Sequence, residues 1–480
     1  MLMGQTAINF SASVASALLG LLSVFVFTRL FSAQEYGVYL LGFGFATVVS
    51  TVFIGWFRNL ILRERARHDG QDVRGLVISG YALACLCAPI AYGVGRLVGL
   101  DNAAALAAVG LAIAIGLYEL TQDLVRARLL AITAMKGTIA RAIFILCLGA
   151  ALSVLGQTGV ILLASSVAAY LAATLVQTPA AWRGTVPNFN RQQLYAAARL
   201  GLPLTVSLTL LAISSVTDRF MIAYLVGDAE AGKYVAGLDL VRQTLMMPAI
   251  SIAATAFPMA VRINAAHGPA ATRAHLPQSV ELLFAIILPA ALGFAVISPH
   301  VAGLILGVEF RPVAIQVIPI IAIAVVFQVL TQQYLHVSFL LSNRNSFYLI
   351  NTASIIAINI VLCLVLIRWD GVIGAAWARL GADAFGFLCA AVLTRYAFDV
   401  PAPLGRLSLT IIAALIMALI VAGLDRALDI NAPTACVILS GVGIIAYAAL
   451  CWAFDIARLR GRLSDGLKAF RARLASKGIG

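Results

Sequence analysis

Apolar stretches long enough to cross a membrane recur along this chain from one end to the other, separated by short polar connections. They cover residues 8–30, 38–58, 75–99, 103–125, 139–155, 159–181, 200–226, 234–260, 280–298, 312–335, 346–367, 371–394, 407–424 and 433–454. A helix needs about 20 apolar residues to cross roughly 30 Å of hydrocarbon, and these stretches are of that order. The pattern predicts an all-α polytopic membrane protein with about fourteen transmembrane helices. The first stretch has no basic residue before Arg29 and no small-residue cleavage site, so it reads as a retained helix and not as a signal peptide.

The polar connections give the orientation. Those after even-numbered stretches, together with the tail after stretch 14, hold 24 of the 33 Lys and Arg, and those after odd-numbered stretches hold six. Basic residues accumulate on the cytoplasmic side of a membrane protein, which places even connections and both termini in the cytoplasm. In the tail, Leu459, Leu463, Leu467 and Phe470 fall near one helical face among basic residues, a pattern that suits a helix lying on anionic lipid.

Composition agrees, with 62% hydrophobic and 11% charged residues against about half and about a quarter in soluble domains. The net charge of +13 is accounted for by the cytoplasmic connections and tail, so no nucleic acid partner is implied. All seven cysteines lie in apolar stretches and read as small buried hydrophobes, not as disulfides or metal ligands. No cofactor is expected.

The chain also repeats itself. Glu35, Gly37 and Tyr39 recur in register as Glu230, Gly232 and Tyr234, shifted by 195. Thr121-Gln122 pairs with Thr331-Gln332, and Gly159-Val160-Ile161 with Gly371-Val372-Ile373. Six stretches separate the copies, an even number, so both have the same orientation, as in parallel-repeat transporters. The expected organisation is an N-lobe (1–182), a cytoplasmic linker (183–199), a C-lobe (200–396), two extra helices (397–456) and the basic tail (457–480). The two six-helix lobes are pseudo-symmetric, and lobes of this kind can rock about a central cavity.

Ionisable residues within a membrane are costly unless they face a partner or a cavity. Stretch 4 carries Glu119 and Asp123 with Arg126 at its end; stretch 7 has Asp218 and Arg219; stretch 8 has Asp239 and Arg242; stretch 12 has Arg379 and Asp383. Stretch 10 carries Gln328, Gln332 and His336 at fourfold spacing. Two readings stay open. Asp239 with Arg242, and Arg379 with Asp383, are spaced to pair along one helix and hold the bundle together. Inward-facing arginines instead suit phosphate or another anion, because guanidinium keeps its charge and offers paired donors. An isolated carboxylate such as Asp218 can carry a proton. Arg29, Arg58 and Arg63 sit at helix ends, where snorkelling competes with anion binding.

The chain contains no G-x-x-x-x-G-K-[ST] loop, H-E-x-x-H or G-x-S-x-G, and its outward connections are short. A transporter is therefore favoured over an ATPase or a membrane enzyme with an outward catalytic domain.

The segment Thr28-Arg29-Leu30-Phe31, followed by Glu35-Tyr36-Gly37-Val38-Tyr39, resembles the polysaccharide-transport branch of the MOP exporter superfamily. So do Leu62-Arg63 and Asp218 ahead of Ala229-Glu230-Ala231-Gly232-Lys233-Tyr234. This branch holds the O-antigen and exopolysaccharide flippases, relatives of MATE exporters and of the lipid II flippase. The resemblance implies a flippase of the bacterial inner membrane. It would carry undecaprenyl-diphosphate-linked oligosaccharide from the cytoplasmic to the periplasmic leaflet by alternating access. It further implies diphosphate contacts at Arg29 and Arg63 and a lipid-tail groove beside the last two helices. Tyr224 stands where the second repeat would carry the counterpart of Arg29, so a diphosphate clamp would be asymmetric.

The full candidate set for headgroup and cavity is Arg29, Arg58, Arg63, Arg126, Arg219, Arg242, Gln332, His336 and Arg379. The ion-coupling candidates are Asp218, Asp239, Glu119, Asp123 and Asp383. Expected partners are the lipid-linked oligosaccharide, the bilayer, and a polysaccharide polymerase or export machinery. The competing readings are a MATE-like or lipid II-type transporter, whose drug-exporting members should have an acidic cavity, and an intramembrane polymerase or glycosyltransferase.

Overall fold

The computed structural model describes residues 2–67, 74–128, 130–183, 191–342, 344–401, 403–428 and 431–456, with side chains lacking a description at 2–10, 56–57, 59–67, 74–77, 83–84, 191–204 and a few single positions. The side chain of Arg63 and the basic tail therefore lie outside the described residues.

Every regular element among the described residues is a helix. In chain order they are α1 (Leu2–Leu30), α2 (Ala33–Arg67), α3 (Arg74–Leu86), α4 (Ala88–Leu97), α5 (Asn102–Ala127), α6 (Ala131–Leu152) and α7 (Gly159–Ala181). There follow α8 (Arg191–Leu225), α9 (Asp228–Val296), α10 (Ser298–Ile305), α11 (Arg311–Leu330), a π-helical turn (Thr331–Leu335), α12 (His336–Leu341), α13 (Asn345–Tyr396), α14 (Leu404–Ala427) and α15 (Ala432–Phe454). Among the described residues, ten helices are long and apolar enough to cross a membrane.

Local chemistry sets several ends. Asp101, Thr158 and Asn431 cap α5, α7 and α15 by accepting from the amides of Ala104, Ile161 and Thr434. Pro89 at the start of α4 divides the third apolar stretch into two helices. α9 has 69 residues, about 104 Å if straight, more than three times the hydrocarbon thickness. It is broken at Gly268, whose φ of 78° ends one arm, and Pro269 follows. α13 breaks in the same way at Asp370 and Gly371, where φ is 55° at the glycine. Each long helix thus holds two of the apolar stretches read from the sequence. The fifth stretch begins earlier than its hydropathy indicates, because α6 starts at Ala131 and places Arg141 in mid-helix.

The chain forms two compact units. Unit 1 comprises Met1–Gln243, Ile305–Val317 and Tyr348–Ala382, and unit 2 comprises Thr244–Leu304, Ile318–Phe347 and Asp383–Gly480. Within unit 1, α5 packs on both α2 and α7, and α6 packs on α1 and α7. Lipid is as apolar as the side chains, so close approach through small residues drives such packing. Gly116 receives Ile54, and Gly149 leaves room for Phe27, which a Cβ there would meet at 2.6 Å. An aromatic group closes one end of the unit, with Tyr36 edge-on to Phe310 at 5.7 Å and Phe27 edge-on to Phe31 at 6.2 Å.

Candidate functional site

Unit 1 gathers charge inside its helices. Where α2 meets α5, Arg58 donates from Nη1 to Glu119 Oε2 at 2.8 Å and from Nε to Asp123 Oδ2 at 2.7 Å. The i, i+4 spacing of the two carboxylates lets one planar guanidinium bridge them. Asp123 is 1% exposed and also pairs with Arg126 at 3.4 Å. The pairing along one face of α5 is present, and Arg58, expected at a helix end, completes it from α2.

A second cluster joins α8, the first arm of α9 and α13. Arg379 donates to the Ser214 carbonyl at 3.0 Å and to Asp218 Oδ2 at 3.5 Å. Tyr234 donates its hydroxyl to the same carboxylate oxygen at 3.1 Å. Asp218 is fully buried, and its Oδ1 has no hydrogen-bond partner. Asp218 is therefore not the isolated carboxylate expected from the sequence.

The pairing along stretch 8 is also corrected. Asp239 takes Arg219 of α8 at 3.5 Å, while Arg242 donates to the Ser215 carbonyl at 3.4 Å. Spacing along one helix gives only the local option, and a partner on a facing helix wins when both side chains point into the bundle. Arg379 reaches Asp218 on another helix, and Asp383, four residues on, is also buried.

The remaining candidates lie elsewhere. Arg29 stacks on the Phe25 ring at 3.7 Å and donates to the Ile305 carbonyl at 2.6 Å, tying the end of α1 to the end of α10. In unit 2 the π-helical turn falls between Gln328 and His336. Its wider turn removes the common face that fourfold spacing gives an α-helix. His336 is buried beside Phe339, with ring centroids 5.6 Å apart.

Arg141 was not among the candidates. It lies against the rings of Tyr118 and Tyr170 at 5.7 and 5.5 Å, donates to the Tyr170 hydroxyl at 3.0 Å, and reaches Ser16 Oγ at 3.4 Å. Its Nε is buried without a partner. The signal was an arginine ten residues after the start of α6, hidden because Lys136 and Arg141 lower the local hydropathy.

The repeated Glu-x-Gly segments meet each other. A Cβ on Gly37 would overlap the carbonyl of Asp228, and one on Gly232 would overlap the carbonyl of Ala33. Residues 33 and 228 differ by the same 195 positions as 37 and 232, so the contact is reciprocal. Glu35 accepts from the Gly159 amide at 2.7 Å and Glu309 from the Ala33 amide at 3.0 Å, fastening the same end of unit 1.

Unit 2 has a different feature. A cavity of about 610 Å³ lies between the second arm of α9, α14 and α15, lined by Pro289, Gly293, Met417, Val421, Gly443 and Tyr447 among others. Thr244, Ser440 and Tyr447 bring the only side-chain polar atoms to it, and the Tyr447 hydroxyl is engaged with the Ala285 carbonyl at 2.8 Å. Ile444, in the same lining, is 71% exposed, so the cavity opens beside an exposed apolar surface.

Residues 26–315 match a family model described as "Polysaccharide biosynthesis protein". The chain belongs to that family. No curated protein matches its sequence. Among solved structures, a lipid II flippase MurJ in an inward closed conformation aligns with a TM-score of 0.77 at 15% identity, covering 93% of this chain and 98% of that one. An inward-facing multidrug resistance MATE transporter of the MOP superfamily aligns at 0.56 and 15% identity, covering 82% and 95%. A MOP superfamily transporter from Pyrococcus furiosus, described as having a binding pocket of reversed polarity, aligns at 0.58 and 12%, covering 85% and 96%. These likenesses establish the fold, so this polysaccharide biosynthesis family member is a multi-pass membrane protein built like MurJ and the MATE transporters.

Proposed function

We propose that this protein is a flippase, not an enzyme. It moves an undecaprenyl-diphosphate-linked oligosaccharide from the cytoplasmic to the periplasmic leaflet of the bacterial inner membrane by alternating access, for export of O-antigen or exopolysaccharide. Both termini lie in the cytoplasm on this reading, as the distribution of Lys and Arg favours. The observation that carries it is the set of guanidinium groups held within the membrane helices of unit 1, Arg58, Arg141, Arg219, Arg242 and Arg379. A sugar diphosphate is large, polar and anionic, and fixed cations in a low-dielectric setting stabilise it far more than water-exposed ones. An exporter of cationic drugs would need the opposite balance.

The apolar cavity of unit 2 suits the other half of the substrate. A polyprenyl chain has no polar atoms to satisfy, and the cavity walls offer almost none. Gradient coupling falls to the buried carboxylates, with Asp218 the first candidate because one of its oxygens has no partner. A polymerase or export machinery consuming the flipped substrate is the expected partner.

Reconstitution into vesicles with fluorescent lipid-diphosphate oligosaccharide tests this. Wild type should exchange label between leaflets well above empty vesicles, and Met417→Trp, which fills the unit 2 cavity, should slow exchange about tenfold. Exchange no faster than in empty vesicles overturns the proposal.

A further inference from the structure

The cavity of unit 2 has a pair of charged or titratable side chains beyond each of its ends. At one end Arg406 of α14 grips Glu281 of α9 as a fork, Nε to Oε1 and Nη1 to Oε2, each at 3.3 Å. At the other, His300 Nε2 of α10 and Asp425 Oδ1 of α14 are 2.6 Å apart. Both pairs join residues 125 positions apart, so α14 runs beside the second arm of α9 and α10 in one register. From Arg406 to Asp425 α14 rises about 28 Å at roughly 1.5 Å per residue, close to the roughly 30 Å of a hydrocarbon core.

Between the two pairs lie the residues that line the cavity. Ile297, three residues before His300, and Val421, four before Asp425, are both in the lining, so each partner stands about one helical turn beyond a cavity wall. At the same end Gly303 of α10 lies against the start of α15, where a Cβ on the glycine would meet Ala432 Cβ at 3.9 Å. α10, α14 and α15 thus come together there and close that end. A cavity wall has no partner atoms opposite it, so the pairs at its ends carry more of the attachment of α14.

The two pairs differ in what pH does to them. An arginine–glutamate pair keeps both charges from about pH 5.5 to about pH 8, whereas a histidine ordinarily changes charge inside that range. The His300 and Asp425 side chains are 22% and 28% exposed and lie just beyond the apolar stretches 280–298 and 407–424, so solvent protons reach them. Facing a carboxylate, Nε2 donates in either protonation state, but imidazolium adds an ion pair to the hydrogen bond. Among the described residues, α10 holds no other titratable group and α9 none from Leu282 to Val296. α14 adds Arg426 at this end, and α15 adds Cys436 near its start, a residue type that titrates near pH 8.5. The histidine is therefore the group that switches.

We propose that His300 and Asp425 form a proton-operated latch on the apolar cavity. With His300 charged, the ion pair holds the end of α14 on α10 and shuts that end of the cavity. When the proton leaves, the contact weakens, α14 parts from α10, and the cavity widens between Ile297 and Val421. The Glu281–Arg406 pair keeps its charges throughout and holds the opposite end as the hinge. The latch rests on the cavity itself. Its bearing on transport rests on the flippase reading, in which it times the entry or release of the hydrocarbon part of the substrate.

The test is amide hydrogen exchange of the purified full-length protein in nanodiscs, with each rate divided by the intrinsic rate at its pH. Residues 421–428 should exchange about fivefold faster at about pH 8 than at about pH 5.5, the effect of losing one partly exposed ion pair. Residues 404–413, beside the Glu281–Arg406 pair, should change by less than about twofold. His300→Gln and Asp425→Asn should each bring 421–428 to the fast rate at both pH values, and Asp425→Asn serves if His300→Gln does not elute as a single folded species. Wild-type rates within about twofold of each other at the two pH values overturn the latch, as does a pH dependence that persists in either variant. The vesicle exchange assay runs at the same two pH values. If 421–428 responds to pH through His300 yet the vesicles exchange no more label than empty ones, the flippase reading falls and the latch stands. If label exchanges and 421–428 does not respond, the latch falls and the flippase reading stands.

Discussion

Unit 1 and unit 2 are both built from apolar helices, yet their interiors differ. Unit 1 surrounds buried guanidinium and carboxylate groups with helices packed through glycine, and each ion pair satisfies groups that hydrocarbon cannot. Unit 2 leaves about 610 Å³ open between three helices and lines it mostly with apolar side chains. The difference teaches that hydropathy sets where helices cross a membrane but not what their inner faces carry. A few substitutions of side-chain size or charge separate a charged interior from an apolar cavity.

The contrast breaks most severely where unit 1 buries charge. Asp218→Ala leaves Arg379 and Tyr234 without their shared carboxylate, and removing one member of a buried pair costs about 3–5 kcal/mol. The melting temperature in detergent should fall sharply, whereas a small change would mean that Arg379 is satisfied without Asp218. Next comes the reciprocal glycine contact. Gly37→Ala gains about 1 kcal/mol of helix propensity, but overpacking costs about 1–3 kcal/mol. The obstacle is a backbone carbonyl and not a side chain that can rotate away, so a net loss of stability is expected, mirrored by Gly232→Ala. Equal stability to wild type in both would show that the two helix ends separate freely.

Unit 2 should be gentler. Tyr447→Phe removes the hydroxyl donated to the Ala285 carbonyl on the cavity wall, worth about 1 kcal/mol, and leaves the apolar lining intact. On the flippase proposal, lipid-tail binding should survive it, and loss of tail binding would give that hydroxyl a polar role.

The smallest effect concerns Asp228, in the connection ahead of the apolar stretch from residue 234. Partial burial, and then the nearby Asp101, push its carboxyl above the usual carboxylate range. A carboxyl raised in the folded state costs nothing at pH values below its unfolded value. The penalty grows as pH rises through the carboxylate range and is complete above the folded value. Asp228→Asn should therefore match wild type in acid and be slightly more stable at neutral pH, in melts across pH 3–8. A gain that persists in acid would locate the effect outside the titration.

By itself the sequence determined the helical class, the multi-pass membrane character and the family. These depend on properties that accumulate along the chain: apolar length and short motifs such as Glu35-x-Gly37 and Glu230-x-Gly232. It also marked most of the charged positions, because an ionisable group in an apolar run stands out wherever the helix packs. Which charges cancel was decided only in three dimensions. Asp239 takes Arg219 and leaves Arg242 to a carbonyl, Arg58 crosses to Glu119 and Asp123, and Arg141 takes an aromatic seat. The physical reason is that a guanidinium reaches several ångströms beyond its own helix. Its partner is set by the neighbouring helix and its rotation, information that no local spacing contains.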